Sequence, residues 1–315
     1  MPKKGAYYAD TNGVPKAAGR VTHLGVAAGE LANRIVSVGS LSRAKTLRDC
    51  LDKPSEAFEL TSDRGFTTYT GTFGGERVSI VATGMGSPMM DFLVREARAS
   101  VSGPMLVVRY GSCGGLREDA LPGTVVVNTT GAVYVQRNYD AFASEEGKGK
   151  KRSAAGAAPY LVSRKVAPDA TLAASARDAL RDALGGKLVE GLNASADSFY
   201  GSQGRIDANF DDRNDGVVES VQAEHPEVAS MEMESFQLLH LARCALPAGA
   251  VRAATAAIVC ANRGSADVIT KEALHDLEKR GGRAMLKAVT SCALGLGGDP
   301  APPAAKGKAS KRARR

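Results

Sequence analysis

The 315-residue chain is 43% hydrophobic, enough for a buried core, yet no apolar run reaches the roughly 18–20 residues of a membrane-spanning helix. Its formal charge of +7 is local: Lys306 to Arg315 holds six Lys or Arg and no acid, and without them 35 basic residues face 34 acidic ones. Five scattered cysteines (Cys50, Cys113, Cys244, Cys260, Cys292) and four histidines (His23, His225, His240, His275) lack C-x-x-C, finger or H-E-x-x-H spacing, which argues against a disulfide scaffold or a dedicated metal centre and for a reducing, cytoplasmic setting.

In chain order, residues 1–20 are rich in Gly, Pro, Lys and Ala and read as a flexible lead-in without the apolar stretch of a secretory signal. Arg34–Val38 is a short apolar strand ending at Gly39, and a helix is expected over Ala44–Leu51, stopping before Pro54. Phe66–Phe73 and Arg77–Thr83 are β-branched or aromatic runs around Gly74-Gly75, a hairpin signal. A helix follows from about Pro88 to Val101, with proline in the first turn. Met105–Tyr110 and Thr124–Asn128 read as strands. The 141–158 stretch is low in complexity, carries the basic cluster Lys148–Arg152, and reads as a mobile insertion. An apolar stripe makes Asp169–Leu184 a helix closed by Gly185. Lys187–Ala194 and Ala250–Cys260 complete the strands, and Glu234–Ala245 and Lys271–Leu294 the helices. Strands alternating with helices over one continuous body predict a single α/β domain at 21–297: a mixed sheet with helices on both faces, three layers in all. Residues 298–315 read as a disordered basic tail.

Chemistry concentrates in three places. Three strand ends run into glycine-rich turns: Val38-Gly39-Ser-Leu-Ser-Arg43, Thr83-Gly84-Met-Gly86 and Val108-Arg109-Tyr-Gly111-Ser112. Glycine lets backbone N–H groups approach an anion, and a guanidinium fits a phosphate in two-point contact. Arg43, Arg109 and Arg64 are therefore candidates to surround one phosphate, although each turn alone is only a turn. Arg109 is the sharpest signal, because it interrupts an apolar strand where a charge is costly unless paired or holding an anion. A structural ion pair or an edge strand would explain it equally. The second place is Ser230-Met-Glu232-Met-Glu234-Ser235, with two carboxylates at a strand-to-helix junction. One can accept hydrogen bonds from a diol and the other can stabilise the helix start, or both can be surface acids. The third is Asp197-Ser-Phe199-Tyr200-Gly-Ser-Gln203-Gly-Arg205. An aromatic face can stack on a base, and an amide offers one donor and one acceptor.

Taken together, Glu232-Met-Glu234-Ser, Arg109-x-Gly-Ser-x-Gly, the Gly39-x-x-x-Arg43 turn and Phe199-Tyr-x-x-Gln203-x-Arg205 resemble the hexameric-type nucleoside phosphorylases, and within them most the uridine phosphorylases. The resemblance spans about Val21 to Leu294. It implies the phosphorylase/hydrolase-like three-layer fold with a mixed, partly barrel-like sheet. It also implies phosphate-dependent cleavage of uridine, or a related pyrimidine nucleoside, to free base and ribose 1-phosphate. On that resemblance Gly39, Arg43, Arg109 and Ser112 bind phosphate. Arg64 reaches a neighbouring subunit's phosphate, and His23 likewise crosses the dimer interface to the ribose 5′-hydroxyl. Met233 and Glu234 hold the ribose, Phe199, Gln203 and Arg205 the base, and Arg263 completes the polar network, with Arg109, Glu234 and Arg263 as the catalytic set. A homodimer or a hexamer is implied, with inorganic phosphate as co-substrate, no metal or organic cofactor, no membrane and no nucleic acid. Purine members of the family resemble one another in an aspartate where Asn262-Arg263 stands here, with Asp267 four residues on. The phosphate turn lacks the usual Gly-Asp-Pro-x-Arg wording, Ser112-Cys113 replaces Thr-Thr, and Gly65 replaces the acid after the crossing arginine. Two other readings are kept open: a purine nucleoside phosphorylase or nucleosidase on the same fold, and a non-catalytic relative that binds polyanions through its basic tail.

Overall fold

The computed structural model describes residues 12–142 and 157–295. The expected tail at 298–315, residues 1–11 of the lead-in and most of the 141–158 insertion lie outside the described residues. The described remainder of the lead-in contains a small antiparallel pair, β1 (Lys16–Ala17) and β2 (Arg20–Val21).

The main body runs β3 (Arg34–Val38), α1 (Leu41–Arg48), β4 (Phe58–Thr61), β5 (Thr67–Phe73), β6 (Glu76–Ala82), α2 (Ser87–Ser100), β7 (Met105–Gly115) and β8 (Val125–Arg137). It continues through β9 (Tyr160–Val162), α3 (Ala170–Leu184), β10 (Leu188–Ala196), α4 (Val217–Glu224), β11 (Val228–Glu232), α5 (Ser235–Cys244), β12 (Val251–Asn262) and α6 (Lys271–Ser291). Strand order is β11-β10-β8-β12-β7-β3-β6-β5-β4, with β9 on β8. The strands of β3, β6, β7 and β12 that lie side by side run parallel, while β5 and β4 turn back antiparallel. Gly74 and Gly75 close the β5–β6 hairpin with φ of 61° and 82°, a left-handed pair that fits a two-residue turn.

Alternation along the strands builds the two faces. Val36, Val38, Leu106, Val108 and Tyr110 face α1, α3 and α6, whereas Ile35, Met105 and Val107 face α2 and α5. The sheet thus has helices on both sides, as the alternating pattern predicts. At its far end it curls: β11 also pairs antiparallel with β7, through Ser230↔Gly115 and Met231↔Gly114, so β7, β12, β8, β10 and β11 form a closed ring. A Cβ at Gly115 would sit 2.0 Å from the Ala120 carbonyl oxygen, so only glycine permits this closure.

The structure departs from the sequence reading mainly in lengths. Helix α1 begins at Leu41 rather than Ala44, because Ser40 caps it by accepting the Arg43 N–H at 3.2 Å. Strands β7 and β8 continue five and nine residues past their expected ends, through glycines and polar residues that the ring's pairing partners hold extended. The Gly111–Gly115 stretch is therefore strand, not turn. Strand β4 and helix α4 were not expected at all; each is short, and β4 alternates on an edge.

Helix α6 lies unusually close to the sheet. A Cβ at Gly281 would fall 1.9 Å from the Tyr110 Oη, and one at Gly282 would fall 2.4 Å from Leu47 of α1. Tyr110 is fully buried and its hydroxyl donates to the Leu277 carbonyl at 2.9 Å, so it has no room to yield. Gly281→Ala is expected to lower stability by about 1–3 kcal/mol, although alanine is the better helix former. A denaturant midpoint at or above wild type would show that the helix can slide outward at no cost.

Candidate active site

Arg109 stands on β7, between β12 and β3, so it is central rather than on an edge. It is 3% exposed. Its Nη2 donates to the Glu234 Oε2 at 2.7 Å, and its Nη1 lies 3.3 Å from both the Ser37 and Thr83 hydroxyl oxygens. Its Nε is buried without a hydrogen-bond partner among the described residues, the Glu232 Oε2 being 3.9 Å away. Of the two explanations open for a guanidinium in an apolar strand, the ion pair is present and the edge is not.

The two carboxylates divide their labour as the junction suggests. Glu232 faces back into the ring. It accepts from the Asn193 amide and the Ser195 hydroxyl, both at 2.6 Å, and from the backbone N–H groups of Glu234 and Ser235 at about 3.0 Å. It thereby satisfies the first free donors of α5. Burial pushes its carboxyl above the ordinary range, the Glu234 carboxylate adds to this, and the Arg109 guanidinium opposes both. Glu234 turns the other way. One oxygen takes the Arg109 ion pair and the other accepts the backbone N–H of Gly86, which precedes the first turn of α2. A carboxylate there also faces the positive end of that helix.

These groups border a cavity of about 300 Å³, lined by Gly39, Ser40, Arg43, Gly84, Met85, Arg109, Ser112, Phe199, Glu232, Met233 and Glu234. The carboxyl ends of β3, β6 and β7 thus open into one hollow, where ligands of open α/β sheets are expected. Arg43 enters from the first turn of α1, its Nε donating to the Glu278 Oε1 at 3.0 Å and its Nη1 to the Tyr110 carbonyl at 3.1 Å. Ser112 reaches the cavity from a strand, not from a turn.

The base-side candidates sit around one loop. The Arg205 guanidinium lies 3.8 Å over the Phe199 ring and donates to the Gln203 Oε1 at 2.6 Å. Arg263 donates to the carbonyls of Gln203 and Gly204, supporting the loop from a neighbouring hollow rather than lining the cavity. Burial and the proximity of Arg263 both push Arg205 below the usual guanidinium range. The Asn262 side chain is spent on the backbone: it donates to the Arg117 and Ala120 carbonyls and accepts from Gly264 and Ser265. Asp267 is exposed and does not line the cavity.

Two candidates lie elsewhere. Arg64 is on an exposed turn, so it does not join Arg43 and Arg109 within this chain. His23 stacks on Phe92 at 3.8 Å, and its Nδ1 lies 2.6 Å from Glu96, a buried carboxylate that also accepts the His23 and Leu24 backbone N–H groups. Sequence reasoning gave no binding role to Ser40, Gly84 or Met85. The Gly84-Met-Gly86 turn was the available signal for the last two. Among the described residues no group of three or more His, Cys, Asp or Glu is placed to hold a metal, and no helix is long and apolar enough to cross a membrane.

Residues 33–292 match the family model described as the phosphorylase superfamily. A solved structure from work on two uridine phosphorylases of the oomycete Phytophthora capsici is 44% identical, with a TM-score of 0.82 over 91% of this chain and 99% of that one. A Trypanosoma brucei nucleoside phosphorylase described as showing uridine phosphorylase activity shares the fold at 22% identity, with a TM-score of 0.71 over 89% of this chain and 100% of that one. Similar curated proteins carry the other base class. The DeoD-type purine nucleoside phosphorylase of Bacillus subtilis (strain 168) is 29% identical over 59% of this chain and 70% of its own length. That of Oceanobacillus iheyensis is 39% identical over 31% of this chain, and the match spans only 40% of that relative.

Glu232 accepts from four groups, two on β10 and two at the start of α5, so Glu232→Ala is expected to cost about 2–5 kcal/mol, and Glu232→Gln less. Chemical denaturation of the two variants checks this. Equal, small losses would place the stability of the junction elsewhere.

Proposed function

The chain belongs to the phosphorylase superfamily, a family of pentosyltransferases, and from that premise we propose that it cleaves uridine, or a related pyrimidine nucleoside, with inorganic phosphate to give uracil and ribose 1-phosphate. The observation that carries the reading is the meeting, in one cavity, of Arg43, Arg109, the Gly39 turn and the Glu232-Met233-Glu234 junction. Phosphate sits between the arginines, the Gly39 backbone and Ser112, where free N–H groups and guanidinium donors suit an oxyanion. Ribose lies on Met233, with its hydroxyls on Glu234. A phosphate oxygen attacks C1′, the C1′–N1 bond breaks, and its electron pair leaves on the base. Both reactants in one pocket replace a bimolecular encounter.

The base side supports a pyrimidine. Among the described residues Arg205 and Arg263 hydrogen-bond to neutral partners, a carboxamide oxygen and backbone carbonyls, and make no ion pair, so the loop can offer positive charge to the base. Charge placed where a uracil anion departs lowers the barrier without a strong general acid. A purine ring, more basic, needs a proton on N7, and the nearest acid in the Asn262–Asp267 turn is exposed and outside the cavity. The 44% identity to a uridine phosphorylase structure points the same way. The similarity to purine enzymes keeps that class as the second reading.

Charge balance supports a second subunit. Arg43 and Arg109 meet three carboxylates, Glu278, Glu232 and Glu234. A dianion entering that setting needs further positive charge, which we assign to Arg64 of an adjoining copy, with His23 crossing likewise to the ribose 5′-hydroxyl.

Uracil release from uridine is expected to require phosphate and to exceed base release from inosine or methylthioadenosine. Arg109→Ala should lower kcat/KM roughly 10²–10³-fold. Equal rates for wild type and variant, or release that ignores phosphate, would end the reading. Gln203→Ala should raise the uridine KM about ten- to hundredfold, from one or two lost hydrogen bonds, and leave the phosphate KM unchanged. A faster rate with inosine than with uridine would move the assignment to the purine class.

A further inference from the structure

We propose that Glu278 of α6 is a positioning residue for phosphate: it locks the Arg43 guanidinium so that Nη2 faces the cavity, and so makes phosphate affinity depend on how α6 is docked. The proposal rests on the reading above that this cavity takes phosphate.

Arg43 has two anchors. Its Nε donates to the Glu278 Oε1 at 3.0 Å, and its Nη1 to the Tyr110 carbonyl at 3.1 Å. Among the described residues Nη2 has no hydrogen-bond partner, on a side chain that lines the cavity. The pair is nearly dry, Arg43 being 6% and Glu278 13% exposed. The second oxygen of Glu278 has no closer charged partner among the described residues than the exposed His275, whose Nδ1 is 4.0 Å away. Glu278 is therefore committed to Arg43.

What sets the 3.0 Å contact is the packing of α6. One residue before Glu278, the Leu277 carbonyl accepts the Tyr110 hydroxyl. One turn after it, Gly281 and Gly282 let the helix close onto Tyr110 and onto Leu47, which shares α1 with Arg43. Glycine weakens a helix interior, so two together mark an approach that a side chain would prevent. Tyr110 serves twice, its hydroxyl holding α6 and its carbonyl holding Arg43.

Two effects of Glu278 on a dianion oppose each other. Its charge repels phosphate, and its oxygen orients the arginine. An unanchored arginine has long, flexible side-chain freedom that the ligand itself must then freeze. We hold that orientation dominates, and the two effects are separable. Glu278→Asp keeps the charge but withdraws the oxygen by one methylene. Glu278→Gln removes the charge but keeps an oxygen that accepts the Nε–H.

Phosphate titration by calorimetry, with KM values for phosphate and for uridine, tests this on the full chain. Glu278→Asp is expected to weaken phosphate binding roughly tenfold and leave the uridine KM within about twofold. Glu278→Gln should bind phosphate within about threefold of wild type, or tighter. In an Arg43→Ala background Glu278→Asp, which keeps the charge, should change phosphate affinity by less than about twofold, because Glu278 then has nothing to orient. An Asp variant that binds phosphate like wild type, a Gln variant as weak as Asp, or an undiminished Asp effect without Arg43 would each overturn the proposal. If wild type itself neither binds nor requires phosphate, the functional reading fails instead.

Discussion

The ion pair between Arg109 and Glu234 is the constraint around which the site is organised. A guanidinium cannot shed its proton in a protein, so burying it in the middle of a parallel sheet obliges the fold to bring a counter-charge to it. That carboxylate comes from a segment 125 residues further along the chain. It arrives because β11 doubles back to pair with the end of β7, which in turn requires Gly115 at a point where any Cβ would strike the Ala120 carbonyl. Closure of the strand ring and assembly of the pocket are thus one event. Glu232 makes the junction rigid by spending its oxygens on Asn193, Ser195 and the start of α5. Glu234 borders the cavity, its oxygens engaged by Arg109 and the Gly86 N–H.

Much of this was legible in the residues. Arg109 was conspicuous because a charge in Met-Leu-Val-Val-Arg-Tyr has no cheap explanation, and the paired acids of Ser230–Ser235 were visible at an apolar boundary. The layered α/β class followed from alternation, and element cores fell where periodicity put them. What the sequence hid is non-local. Strands β7 and β8 run on through Gly-Ser-Cys-Gly-Gly and Thr-Thr-Gly because neighbours pair with them, and local propensity cannot see a neighbour. The partner of Arg43 was equally invisible: Glu278 is 235 residues away on an amphipathic helix, one acid among several. Arg263 and Asn262 show the converse. The family resemblance implied a place near the base for them, but only coordinates reveal that the Arg263 side chain is spent on loop carbonyls and that of Asn262 on other carbonyls and turn N–H groups.

The distribution of charge differs between the cavity and the base-side loop next to it. At the sheet, each guanidinium already has a carboxylate, which keeps the empty pocket from holding an unpaired buried charge. A phosphate entering there must compete with Glu234 for Arg109. Success has a consequence for the second substrate: the carboxylate it displaces becomes available to hydroxyl donors. At the loop, Arg205 and Arg263 make no ion pair among the described residues, and their hydrogen bonds go to neutral oxygens. The cost of that arrangement is visible in Arg205, whose protonated form is disfavoured by burial and by its neighbour.

On the proposed reading, that cost would be offset by a transient negative charge on the departing base. Phe199 lies against Arg205 at 3.8 Å, so the ring that would stack on a planar base also carries the guanidinium to the same place. A base leaving as an anion would be delivered to the uncompensated end, while the nucleophile is held at the compensated one. On that reading, the asymmetry would give the reaction a direction, from paired charge toward unpaired charge. It arises because one group of arginines grows from the sheet and its adjoining helix, beside the acids that the fold must supply, and the other from a loop and strand end where their hydrogen bonds go to neutral oxygens.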